Sequence, residues 1–296
     1  MKNFTIFILS AVLLFVGCKP NTSTENAEET VNTSASTYQR IASLSGSITE
    51  TLFALGHGDK VVAVDVTSTY PADALADVPR LGHVRQLNVE GVLSAQPDLI
   101  LILEENAEMP AVQQLKESGI ELMIIPSENS LESPIKIANA LAEKLGGEEA
   151  AQEIAEKLGK QQAELAAMQD ETSEKPKVLF IYARGAGSMM VAGTDTPAEK
   201  MIELSGGQNA VSEFEGFKAL SAEGLLQAQP DAILMFDSGL QSLGGVDGLL
   251  QVEGIAQTPA GKEKRIIAMD GMYLLGFTPR AGEAALELAK ELRAEG

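Results

Sequence analysis

A chain of 296 residues, 45% of them hydrophobic, is long enough for one large domain or two ordinary ones and apolar enough to build real cores. A formal net charge of -20 excludes the basic stripe of a nucleic-acid binder and suits a soluble protein working outside the cytoplasm. One cysteine cannot staple a fold, and two histidines cannot form the histidine cluster that captures free zinc or manganese.

The chain opens with Met1, Lys2 and Asn3 and then runs FTIFILSAVLLFVGC, an apolar stretch of signal-peptide length rather than a membrane span. Residues 1–17 are read as the signal peptide. Cys18, the sole cysteine, follows Gly17 and resembles the acylated cysteine of a bacterial lipobox, with Phe15 where leucine is usual. Residues 18–38 are then a polar, lipid-anchored tether. Beyond it, buried β-type runs are expected at 61–66, 99–103, 122–126, 178–182, 232–236 and 265–269, with helical periodicity between several of them.

An internal repeat sets the architecture. Residues 87–102 read LNVEGVLSAQPDLILI and residues 220–235 read LSAEGLLQAQPDAILM, identical at ten of sixteen positions. Each copy is a short helix, a Gln-Pro-Asp turn and a buried strand. ITETLFALG (48–56) and PAEKMIELSG (197–206) form a weaker echo, both amphipathic helices ending in glycine. Two α/β lobes with largely parallel sheets follow, at 39–146 and 175–296. Between them, at 147–174, Ala151, Ile154, Leu158, Leu165 and Met168 make an apolar stripe at helical spacing, with a stop at Lys175-Pro176. A helix from Glu148 to Asp170 would be about 35 Å long, a rigid strut across both lobes. Ligands of such folds sit in the inter-lobe cleft, outside the carboxyl ends of strands.

No catalytic constellation is present: no GxSxG, no P-loop, no GxGxxG after a strand. RGAGSMMVAG (184–193) is glycine-rich but fits no phosphate motif. His57, in LGHGDK, reads as a solvated turn; His83, in RLGHVRQL, lies nearer the expected cleft. Tyr70, in VDVTSTYPADAL, is either turn filler before a proline or a hard oxygen donor suited to ferric or haem iron. A phenol ionises near pH ~10, so ligation at neutral pH calls for the metal and a nearby cation. A haem cleft would also need apolar walls, for which Met189, Met190, Leu274, Leu275 and Phe277 are candidates. Arg85, Arg184 and Arg280 are candidates for the propionates, the alternative for each being a surface salt bridge.

SLSGSITETLFALG, VDVTSTYP, GHVRQLNVEGVLSAQPDLIL, YARGAGSMMVAG and AMDGMYLLGFTPR together resemble the haem-binding periplasmic proteins of ABC haem importers, relatives of the vitamin B12 and siderophore binding proteins. The similarity runs from about Arg40 to the C-terminus. The resemblance implies two Rossmann-like lobes bridged by one long helix, a fold that changes little on binding. It makes Tyr70 the axial ligand of ferric haem, a transported ligand. Some members add a histidine in the glycine-rich segment opening the second lobe; here Arg184 stands near that place. It implies docking to an ABC permease dimer and its ATPase through one glutamate per lobe, which fall at Glu90 and Glu223. Alternatively, these are first-turn helix acids favoured by the helix dipole. The expectation is a monomeric, membrane-anchored binding lipoprotein of the periplasm or cell envelope, and not an enzyme. The alternatives are a corrinoid or ferric-siderophore receptor, with Tyr70 a wall residue, or an extracytoplasmic haem enzyme.

Overall fold

The computed structural model describes Met1 and residues 37–169 and 175–294. The predicted signal peptide, the Cys18 anchor and nearly all of the tether lie outside these residues. The first lobe follows the order β1 (Ile41–Ser43), α1 (Gly46–Ala54), β2 (Val61–Val64), α2 (Val89–Ser94), β3 (Leu99–Leu103), α3 (Pro110–Glu117), β4 (Glu121–Ile125) and α4 (Glu132–Leu145). Its four strands form one parallel sheet in the order β2-β1-β3-β4. Helices cover both faces, so β3 is an unbroken apolar run, LILIL.

After α5 (Glu148–Met168), the second lobe runs β5 (Lys177–Ala183), β6 (Met189–Ala192), α6 (Pro197–Leu204), β7 (Gln208–Asn209), β8 (Phe217–Ala219), α7 (Ala222–Ala228) and β9 (Ala232–Phe236). It continues through α8 (Asp237–Ser242), α9 (Gly245–Leu250), α10 (Pro259–Lys262), β10 (Ile266–Met269), α11 (Gly271–Leu275) and α12 (Ala281–Arg293). Strands β10, β9 and β5 are parallel, β6 and β8 add an antiparallel edge, and β7 pairs with the start of β5. The second sheet is therefore mixed. The glycine-rich segment after β5 closes a hairpin into β6: Arg184 N donates to Ser188 O, and Ser188 N to Gly185 O.

Side-chain alternation divides the interior into three cores. Leu99 and Leu101 face the same core as Val178, Phe180, Ala232 and Leu234 of the other lobe. Ile100 and Ile102 face a core private to the first lobe, and Leu179, Ile181, Ile233 and Met235 one private to the second. The shared core is continuous because α5 packs on α4 from one lobe and α12 from the other. Ala151, Ile154, Leu158 and Leu165 are its buried stripe, and Met168 packs against the same cluster. Over 21 residues α5 spans about 32 Å. Gln169 turns extended, and its side-chain Nε2 donates to the Glu203 and Leu204 carbonyls.

The α4–α5 link is Gly146-Gly147, with φ of 87° and 104°, values that disfavour any side chain. His57 belongs to this joint rather than to a solvated turn. Its Nε2 lies 2.9 Å from the Gly146 carbonyl.

The repeat turns out to be a strand clamp. Asp98 accepts from the Gln39 and Arg40 amides, and its own amide donates to Arg40 O, just before β1. Asp231 accepts from the Lys177 amide and donates its own to Lys177 O, at the start of β5. In each lobe the Gln-Pro-Asp turn ties the incoming strand to the entrance of the central one.

Candidate ligand-binding site

Strand order β2-β1-β3 means the chain leaves β1 to one side and returns on the other, which opens a crevice at the carboxyl end of β1. The backbone there is closely held. Gly46, at the start of α1, lies against the second lobe: a Cβ would sit 2.6 Å from Thr67 O and 2.7 Å from Met272 Sδ. Glycine lets these segments meet.

The predicted strand 61–66 stops at Val64 because Asp65 turns the chain inward. Its buried carboxylate accepts from Thr67 Oγ1 at 2.7 Å and Ser68 Oγ at 2.9 Å. Ser68 Oγ lies 2.8 Å from Thr49 Oγ1, which donates to Ser43 Oγ, and Arg80 Nη1 donates to Ser68 O. Thr67 Oγ1 also accepts from the Gly46 amide. The polar groups of VDVTS are thus used internally, giving a fixed base for Tyr70.

Tyr70 is 45% exposed, and its hydroxyl has no hydrogen-bond partner among the described residues. Its ring is capped by Arg280, whose Cζ lies 3.9 Å from the ring centroid and 5.0 Å from that of Tyr273. Arg280 is held by a bidentate pair, Nε to Glu50 Oε1 at 2.8 Å and Nη2 to Glu50 Oε2 at 2.7 Å. Glu50, on α1 of the other lobe, is 4% exposed. Burial works against the charge on Arg280, and the Glu50 carboxylate outweighs it, so the guanidinium holds its proton more firmly than usual. The segment carrying Arg280 is strained, since buried Phe277 has a φ of 43°.

The other three tyrosines are occupied differently. Tyr273 donates to Glu287 Oε2, and burial together with that carboxylate raises its pKa well above the ordinary phenol value. Tyr38 donates to Glu121. Tyr182 packs its ring against Phe236 and Arg184.

The predicted residues fall into separate groups. Tyr70 and Arg280 border a cavity of about 490 Å³, with Phe53, Ile154, Pro71 and Pro279 as apolar wall. His83 and Arg85 border another, of about 340 Å³, with Ser47, Thr67, Leu275 and Phe277. His83 Nδ1 accepts from the Arg85 amide, which orients the ring. Leu274 is fully buried in the shared core, so it is packing beneath the site. Met189 and Met190 are half-buried on β6, paired with Ala183 and Tyr182. Arg184 lies 5.4 Å from the Tyr182 ring. A third cavity, about 470 Å³, lies within the second lobe beside α7 and holds none of these residues.

Arginine bonding separates two of the candidates from the rest. The side chains of Arg40, Arg80, Arg265 and Arg293 donate to backbone carbonyls, and that of Arg280 donates to Glu50. Arg85 and Arg184 are exposed, and neither guanidinium meets an acceptor among the described residues. Glu90 and Glu223 are exposed on α2 and α7. Among the described residues no cluster of His, Cys, Asp and Glu would hold a metal ion.

A family model described as periplasmic binding protein matches residues 41–273. The apo structure of the periplasmic heme-binding protein RhuT from Roseiflexus sp. RS-1 superimposes with a TM-score of 0.81 at 39% identity, over 86% of this chain and 97% of that one. An uncharacterized ABC transporter substrate-binding lipoprotein of Bacillus subtilis, YvrC, is 28% identical over 86% of this chain and 80% of its own length. A vitamin B12-binding protein of Vibrio parahaemolyticus is 22% identical over 85% of this chain and 88% of its own.

Proposed function

The chain belongs to the periplasmic binding protein family, and from that premise we propose that it captures ferric haem for an ABC importer, with Tyr70 as the iron ligand. The observation that carries this reading is the Tyr70 hydroxyl, exposed and unbonded among the described residues on a rigid base, beside a guanidinium anchored by Glu50. On coordinating ferric iron the phenol would release its proton to solvent, and Arg280, lying against the ring, would offset the negative charge of the phenolate. A cavity of about 490 Å³ beside Tyr70 is of small-ligand size, and Phe53, Pro71, Ile154 and Pro279 give it apolar surface among the charged Glu50, Glu153, Lys157 and Glu283. In this reading the haem extends beyond that cavity to Arg85 and Arg184, whose guanidiniums meet no acceptor among the described residues and would pair with the propionates, with His83 a further polar contact and Met189 and Met190 apolar wall.

In this reading residues 1–17 are removed and acylated Cys18 anchors the chain in the cell envelope through the tether 18–38. The lobes 39–146 and 175–296, joined by 147–174, act as a monomeric binding protein without covalent chemistry. Glu90 and Glu223 meet cations on the two subunits of the permease, which its ATPase drives.

A corrinoid is the second reading, favoured by similarity to vitamin B12-binding proteins. The haem reading rests on the 39% identity to a protein named for heme, above the 22–28% of the vitamin B12-binding relatives, and on Tyr70. Absorption titration of the purified protein with hemin, cyanocobalamin and a ferric siderophore decides between them. Saturable hemin binding with no cobalamin response is expected; cobalamin binding tighter than hemin would replace the haem reading.

A further inference from the structure

Among the described residues few large apolar side chains are left on the surface, and two of those that are occupy one position of the internal repeat. Leu93 is 37% exposed and Leu226 46% exposed, and aligning 87–102 with 220–235 places one on the other. Val66, Tyr70, Ile124 and Phe217, also exposed, lie outside the repeat.

The equivalence extends to the backbone. Asn88 and Ser221 cap their helices by accepting from the amides of Gly91 and Gly224. Gln96 and Gln229 end the turns in the left-handed region, with φ of 47° and 44°. Val92 and Leu225 face inward as the buried anchors. On both helices the glutamate and the leucine stand three residues apart, on one outward face. Each lobe therefore presents the same pair, a carboxylate beside an isobutyl group.

We propose that Leu93 and Leu226 are matched apolar anchors for a twofold-symmetric membrane permease, each entering a depression beside the cation that receives Glu90 or Glu223; this rests on the docking reading above. Two like patches on one chain fit a partner that repeats its own surface twice. An apolar centre flanked by charge fits an interface whose core is desolvated while its rim steers approach. A carboxylate at each patch disfavours an anionic lipid surface as the occupant.

The test uses Leu93→Gln, Leu226→Gln and the double variant, beside a Glu90→Lys/Glu223→Lys double variant. Binding is measured to the permease–ATPase complex in nanodiscs, with lipid-only nanodiscs as control. Glutamine keeps helix propensity, so melting and hemin titration of the leucine variants stay at wild type. Each single change is expected to weaken permease binding by about three- to eightfold, and the double on the order of ten- to fiftyfold. Wild-type binding by the leucine double, with binding lost in the glutamate double, would overturn the leucine role and leave docking intact. Unchanged binding by both doubles would remove the docking reading and this inference together. A wild-type dimer that only the leucine double dissolves, or a loss confined to lipid-only discs, would assign the patches to a second copy or to lipid and overturn the proposal.

Discussion

In the proposed reading Tyr70 serves ligation and the Glu50–Arg280 pair serves stability, so the two can be altered separately. The Tyr70 hydroxyl has no partner among the described residues, so Tyr70→Phe should leave the melting temperature within a degree or two. Glu50 is buried and pairs bidentately with Arg280, so Glu50→Ala leaves a half-buried cation without its carboxylate. A buried pair broken on one side costs about 3–5 kcal/mol, at the lower end here because Arg280 keeps some solvent. In a chain this size that lowers the melting temperature by roughly 6–12 °C. Thermal melts of the two variants check this, and equal melts would show the Glu50–Arg280 pair to be idle. Arg85→Ala and Arg184→Ala should each weaken hemin binding about tenfold without touching the melt, since neither guanidinium has an acceptor to lose among the described residues. Hemin titration at matched pH and salt reads that effect, and wild-type affinity would remove the arginine from the site. Tyr70 and Arg280 were legible in the sequence as chemistry-bearing residues in loops. Glu50 was not: a carboxylate in an amphipathic helix reads as solvent-facing, and its partner lies 230 positions away.

At the scale of elements, the repeat was legible as two lobes but not as two clamps. What Gln-Pro-Asp does depends on backbone amides from the strand entrance, far off in sequence. Asp98→Ala and Asp231→Ala should each cost about 1–2 kcal/mol, since the lost acceptor serves amides at the head of a central strand and remains partly solvated. Urea unfolding measures the cost, and the haem spectrum of both variants should match wild type. A change in that spectrum with no loss of stability would contradict the clamp assignment. Long apolar runs such as β3 and β9 announced themselves. The three-residue β1 and β8, and the two-residue β7, are too short to show a period and owe their form to the strands beside them. In the hairpin at β6, Gly185 serves a turn, which from sequence alone is indistinguishable from a loop shaped for a ligand.

Across the whole molecule, α5 makes one cooperative body of two sheets. Its stripe lies in a core shared by both lobes, so neither lobe closes its interior without it. Calorimetry should therefore show one unfolding transition, with calorimetric and van't Hoff enthalpies in agreement. Two resolved transitions would mean that the lobes fold independently. The helical stripe made α5 legible. The approach of α12 to it was not, because it depends on Gly282, where a Cβ would lie 2.2 Å from Gln161 Oε1. A rigid frame of this kind suits a receptor that holds its ligand residues ready and presents fixed surfaces to a partner. The central claim within that frame is that Tyr70 ligates haem iron. Its most direct test is the absorption spectrum of hemin bound to wild-type protein and to Tyr70→Phe, titrated side by side. The account predicts charge-transfer bands of tyrosinate-bound ferric iron in the wild type, and their loss with most of the affinity in the variant. A variant that retains the wild-type spectrum and affinity would contradict it.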